Sequence, residues 1–281
     1  MASRRPYPGF GNITSGYISS IVNSSFESVH VRLERRFSYG LSFTAAYIWS
    51  KSLDNSPGIS TSSDGSNATA QDARNLAAER GPTDFDVPQR FVLSYVYDLP
   101  FHVGSSRLAN AIVSGWQLTG ILTLQKGQPF TVYIGKDASN TGGGSDRPNV
   151  IGDWRVSNPA PGGFFNSCTL AADGVTRTTC QPGQSPAWQI VAAGKFGNAG
   201  RNILRGPSFR NFDLGLYRQF PVTEKVRLQF RSEFFNLPNH ANFYLPNATV
   251  TSTAFSTIGQ AADQPQAGAQ RQIQFALKVV F

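Results

Sequence analysis

The sequence lacks long apolar runs: no window approaches the roughly 18 to 20 consecutive apolar residues a membrane helix requires, because charges or Gly/Ser clusters interrupt every stretch. A helical membrane protein is excluded. Cysteine is scarce, with only Cys168 and Cys180 among 281 residues, and no histidine lies near them to make a zinc centre. They stand in a Gly/Pro/Ser-rich stretch at a workable disulfide spacing, which would place that stretch outside the cytoplasm; two free thiols are the alternative. His30, His102 and His240 are far apart, and no serine occupies a Gly-x-Ser-x-Gly elbow. No enzyme is expected, and no catalytic, cofactor or metal residue is assigned. "TGGGS" at 141–145 lacks the Lys-Ser/Thr that completes a phosphate loop, which leaves a flexible linker. The start, "MASRRPYPGFGN", has two arginines but no apolar stretch behind them to serve as a signal peptide.

Charge of one sign is not lacking, since the formal net charge is +8, but Arg and Lys are scattered among acids and amides and no nucleic-acid signature accompanies them. Nucleic acid is not an expected partner.

What the chain does have is alternation. In the closing stretch "RQIQFALKVVF", Ile273, Phe275, Leu277, Val279 and Phe281 share one side, and Gln272, Gln274, Ala276 and Lys278 the other. The same period of two recurs in 26–36, 41–51, 90–99, 115–125, 211–220 and 226–234, and weakly in "ITSGYISSIV" at 13–22. That makes about eight candidate strands. Only "FSYG" and "PVTEK" separate two of the pairs, whereas the segments 52–85, 135–206 and 237–269 are long. In an antiparallel meander, successive connections alternate between the two ends of the sheet. Short turns therefore collect at one end and long loops at the other, as in outer-membrane barrels. The fold class expected is all-β: an antiparallel transmembrane β-barrel meander, here a partial barrel. The long loops, rich in Gly, Ser, Asn, Asp and Pro, read as solvent-facing, mobile extracellular excursions.

Alternation alone does not say which face is inside. A soluble ligand-binding barrel would turn the apolar side inward, and a membrane barrel turns it outward to lipid. Lipid is favoured by the polar rows, with Asp213, Tyr217, Arg227, Gln229, Arg231 and Glu233 suited to a hydrated lumen. Aromatics near strand ends (Trp49, Tyr97, Trp116, Phe220 and Phe281) suit interfacial girdles. His30 falls on a polar row as a lumen side chain. Asp84 and Asp86 flank a phenylalanine and read as solvated strand-entry charges, with a cation site as the alternative. "FNLPNH" and "LRGP" read as turns.

Five passages occur in order: "FSYGLSFTAAYIWSKSLD", "YVYDLPF", "SGWQLTGILTLQKGQPFTV", "FGNAGRNILRGPSFRNFDLGLYRQF" and "RLQFRSEFFNLPNHANFYLPN", followed by the Phe-terminated strand. Together they resemble the C-terminal barrel of TonB-dependent receptors, in particular the Oar-like group. The resemblance implies a Gram-negative outer-membrane transporter for a large solute such as a siderophore, saccharide or peptide. It implies contact with outer-membrane lipid and the barrel assembly machinery, for which Ile273, Phe275, Leu277, Val279 and Phe281 would be the C-terminal assembly signal. Coupling to a TonB system further implies a plug and a TonB box inside a barrel of about 22 strands. The chain shows neither of these, and only about a third of the strands. The expectation is thus a C-terminal receptor segment, not active alone and without cofactors. A small outer-membrane barrel displaying loops for surface binding is the first alternative, and a soluble ligand-binding β-barrel the second.

Overall fold

The computed structural model describes residues 21–56, 70–101, 113–142, 144, 146–259 and 270–281. Seven long strands dominate: β1 (Ser24–Ser38), β2 (Leu41–Asp54), β3 (Gln89–Asp98), β4 (Trp116–Gln125), β5 (Phe209–Pro221), β6 (Arg227–Phe235) and β7 (Gln272–Val280). Each pairs antiparallel with the next, so sequence order is sheet order. A two-residue stub, Gly81–Pro82, adds an eighth member beside the end of β2. The predicted strand at 13–22 lies almost wholly outside the described residues.

The turns are as the spacing predicts. Tyr39 and Gly40 link β1 to β2 with φ of 51° and 77°, the two positive values that let a two-residue loop follow the strand twist. Glycine takes the second position at little steric cost. At the same end, Val222 closes onto Val226 between β5 and β6 through a 2.9 Å backbone bond. The long connections all leave from the opposite end, after Asp54, Gln125 and Phe235.

Those long connections are where the structure departs from expectation. Residues 126–142, 144 and 146–206, with 236–259, are not simple solvent-facing excursions; they build a cap with a hydrophobic core of Phe130, Val132, Phe165, Ala187, Trp188, Ala199, Leu204, Val250 and Phe255. No residue of that buried core belongs to the seven long strands. Phe165 meets Phe255 edge-on at 5.1 Å, and Trp154 stacks on Trp188 at 5.9 Å. The Trp188 indole N–H donates to the Asn166 carbonyl at 2.7 Å, so a fully buried tryptophan is also satisfied. Secondary structure in the cap is slight: a four-stranded patch of two-residue strands in the order Asn149–Val150, Trp188–Gln189, Thr169–Leu170, Arg177–Thr178, and a pair formed by Pro129–Phe130 with Leu204–Arg205. Cys168 and Cys180 are joined by a disulfide across this patch.

Candidate functional site

Residues directly opposite in a sheet point to the same side, so the register sorts every strand residue onto one of two faces. One face carries Val29, Val31 and Leu33 on β1, then Phe43, Tyr47 and Trp49, then Phe91, Leu93 and Tyr95. It continues with Leu118, Leu122 and Leu124, then Phe212, Leu214 and Leu216, then Leu228, Phe230 and Phe234, and ends on Ile273, Phe275, Leu277 and Val279. The result is a continuous apolar band, and at the edges of the sheet it is bare, with Phe275 67% and Leu33 60% exposed.

Charge is sparse on that face: Glu27, Lys51 and Arg210 stand towards the cap end, and Arg35 and Arg218 towards the turn end, with Phe220 and Leu228 beyond Arg218. On β5, Arg210 at the cap end and Arg218, one same-face residue short of Phe220, stand about 27 Å apart along the strand, which a tilt of about 40° projects to roughly 20 Å of thickness. That is close to the roughly 25 Å lipid-contacting height of a membrane barrel. Arg218 stays on the apolar face because its guanidinium lies 4.5 Å from the Phe220 ring centre and 5.4 Å from that of Trp116. The aromatic faces supply the negative quadrupole a cation seeks. Sequence reading missed this residue, although an Arg in phase with Leu214 and Leu216 was its signal.

The other face is mainly polar, with Ile48, Val92, Val96 and Ile121 among its apolar members. All six lumen candidates share it: Asp213 and Tyr217 on β5, and Arg227, Gln229, Arg231 and Glu233 on β6. The Tyr217 hydroxyl donates to a Glu233 carboxylate oxygen at 2.8 Å, Arg231 Nε donates to Gln229 Oε1 at 2.9 Å, and the Arg231 guanidinium lies 5.6 Å from the Tyr217 ring centre. Asp213 sits higher, accepting the Asn236 backbone N–H at 2.8 Å. Arg227 is placed by the register at the turn end of the same wall, opposite Pro221. His30 is on the polar face of β1, 3.1 Å from the Ser28 hydroxyl, and His102 lies outside the described residues. From the terminal set, Ile273, Phe275, Leu277 and Val279 are on the apolar face, with Phe281 following, 96% exposed.

Above the sheet, one clamp ties the cap to the loop between β2 and β3. A 3-10 turn, Leu76–Glu79, buries Glu79, whose carboxylate takes both Arg147 terminal nitrogens at 2.8 and 3.0 Å. Both side chains are almost wholly buried. Arg201 donates to the Glu79 carbonyl at 2.9 Å and pairs with Asp54 and Asp84, while Arg205 pairs with Asp86. Such pairs are costly to desolvate, and breaking one by removing a single partner leaves an uncompensated buried charge.

This corrects the reading of Asp84 and Asp86. Asp86 is 2% exposed and also accepts the Ser52 backbone N–H at 2.7 Å, and Asp84 accepts the Asn202 side-chain amide at 2.6 Å. They are ion-pair partners of the cap, neither solvated charges nor a cation site, and no cluster of metal-ligating residues occurs among the described residues. "LRGP" is likewise more than a turn: Arg205 reaches Asp86, and a Cβ on Gly127 would stand 1.9 Å from the Gly206 carbonyl oxygen, so the two segments touch backbone to backbone. In "FNLPNH" the Asn236 side chain brackets His240, accepting its N–H at 3.0 Å and donating to its carbonyl at 2.9 Å. Within 141–145, the N–H groups of Thr141 and Gly142 donate to the Asp137 carboxylate at 3.0 and 2.9 Å. Burial pushes the Tyr133 phenol above its ordinary pKa, and a hydrogen bond from the Thr176 hydroxyl, aided by the N–H groups of Val175 and Thr176, holds Asp173 below the usual carboxylate range.

A family model described as an outer membrane beta barrel domain matches residues 1–274. No curated protein and no solved structure matches the chain significantly.

Proposed function

The chain belongs to the outer membrane β-barrel domain family and is placed in the outer membrane, and from that premise we propose that it is the C-terminal barrel segment of a TonB-dependent receptor of the Oar-like group. In that membrane the apolar band faces lipid. The soluble ligand-binding reading is therefore overturned, and the polar face lines the interior. The observation that carries the proposal is the breadth of the polar wall. It runs across all seven long strands, interrupted by Ile48, Val92, Val96 and Ile121, with both outer strands paired on one side only among the described residues. A small closed barrel fills its interior with side chains, whereas a wall of a wide barrel meets water or a plug.

In this reading the lumen row from Asp213 to Glu233 contacts the plug or the passing solute, a siderophore, saccharide or peptide. A plug and TonB box couple the barrel to the inner-membrane TonB system, and the barrel assembly machinery recognises the strand ending at Phe281. The test is uptake in the native bacterium with a panel of labelled siderophores, saccharides and peptides. One solute should lose energised uptake both when this locus is disrupted and when TonB is deleted. Uptake that needs the locus but ignores TonB, or no uptake defect across the panel, would refute the proposal.

One observation favours a second reading, a barrel that displays a binding surface. The cap has its own core and ion-pair clamp, which is more than a passive loop requires. Loss of surface adhesion in the disrupted strain, with uptake intact, would select it.

A further inference from the structure

The apolar face holds one groove that a hydrocarbon chain alone does not satisfy. At the cap end of β2 to β5 a cavity of about 370 Å³ is lined by Tyr47, Phe91, Leu124, Lys126, Ser208 and Arg210. Tyr47 is paired with Phe91, Phe91 with Leu124, and Leu124 with Arg210, so all four side chains stand on the lipid side. Lys126 lies two residues beyond Leu124 on the same side, diagonal to Arg210, with their backbones about 7 to 8 Å apart by sheet geometry. Both cations are exposed, and the salt bridges among the described residues engage neither.

Two like charges rooted at neighbouring positions of an apolar wall repel, and the wall weakens the water screening that would relieve them. An anion between them removes the repulsion and accepts charge-assisted hydrogen bonds from both. The aromatic and leucine floor below would hold apolar chains. At the turn end the comparable cation, Arg218, is already covered by Trp116 and Phe220. At the cap end, by contrast, Lys126 and Arg210 stay open above an apolar floor.

We propose that this groove binds the phosphorylated headgroup of an outer-leaflet lipid, with Lys126 and Arg210 on the phosphate, Ser208 adding a hydroxyl, and the acyl chains running down over Phe91 and Leu124. The site depends on the orientation of the apolar face and not on transport, so it stands or falls separately from the receptor reading.

The test uses the full chain, folded in detergent and checked by heat-modifiable migration, with binding read by native mass spectrometry. Three probes are compared: a diphosphorylated glucosamine-disaccharide lipid, the same lipid without its phosphates, and inorganic phosphate. The phosphorylated lipid should bind at least about tenfold more tightly than its dephosphorylated form, and K126Q and R210Q should each weaken it about tenfold. R155Q, which removes an exposed cap cation, should change nothing. Equal binding of the two lipids, equal loss in R155Q, or full competition by inorganic phosphate would overturn the assignment. If the charge variants fail to fold, S208C carrying a photo-cross-linker keeps both cations and should capture the phosphorylated lipid; no capture would also overturn it.

Discussion

The cap and the sheet use apolar side chains in opposite ways. In the cap, Val132, Ile134 and Trp188 are fully buried around a core of the kind any water-soluble domain has. In the sheet the apolar residues form a layer with nothing over it, and the order comes from strand pairing, which satisfies backbone groups that lipid cannot. Hydrophobic burial holds the cap together by excluding water, while the sheet keeps its apolar surface for a second solvent. One chain is therefore built for two media, and the boundary falls where Lys126 and Arg210 rim the band.

Mutations should separate the two regimes. The largest expected effect is Trp188→Ala, which empties the centre of the cap core and should cost about 3 to 5 kcal/mol of cap stability. Limited proteolysis should then cut within 126–206 while the sheet keeps its heat-modifiable migration; joint loss of both would show that cap and sheet fold as one unit. Arg147→Ala leaves Glu79 buried and unpaired and should cost a similar 3 to 5 kcal/mol, whereas replacing both partners by leucine should recover much of it. Denaturant titration of cap tryptophan fluorescence would report both variants.

Within the sheet, neighbouring residues should respond oppositely. Leu122→Arg places a charge in the middle of the lipid band and should cost about 2 to 4 kcal/mol, while Thr123→Arg, one residue on and facing the interior, should change stability by about 0.5 kcal/mol or less. Equal costs in a bilayer refolding assay would mean that the two faces are misassigned. A modest effect belongs to Tyr217→Phe, which removes the hydroxyl that Glu233 accepts and should cost about 0.5 to 1.5 kcal/mol. A double-mutant cycle with Glu233→Gln would isolate that pair.

The sheet was legible because a period of two survives in any strand with unlike faces. Ile273 to Val279 and Phe212 to Leu216 could be sorted without knowing their neighbours. Even the shared face of Tyr217 and Glu233 emerged, because it follows from strand phase alone. The cap was hidden for the converse reason: its strands are two residues long, too short to show any period, and its Gly- and Pro-rich composition is what loops share. Its organising contacts are also remote in sequence, with Arg147 meeting Glu79 across 68 positions and Arg201 meeting Asp54 across 147. Composition showed scattered arginines. It could not show that Arg147, Arg201 and Arg205 come from one loop and their acids from β2 and the loop that follows it.

The number of long strands has a consequence for how the wall can be completed. Among the described residues the seven alternating strands begin and end in the same direction, so β1 and β7 run parallel to one another. Joining them directly would make a parallel seam in an otherwise antiparallel cylinder. A second copy of these seven strands, standing upright in the same membrane, would meet the first along two such seams. Closure with every seam antiparallel takes an odd number of additional strands whose first and last both run against β1 and β7, so it is strand direction, and not strand number, that keeps an upright second copy from completing the wall.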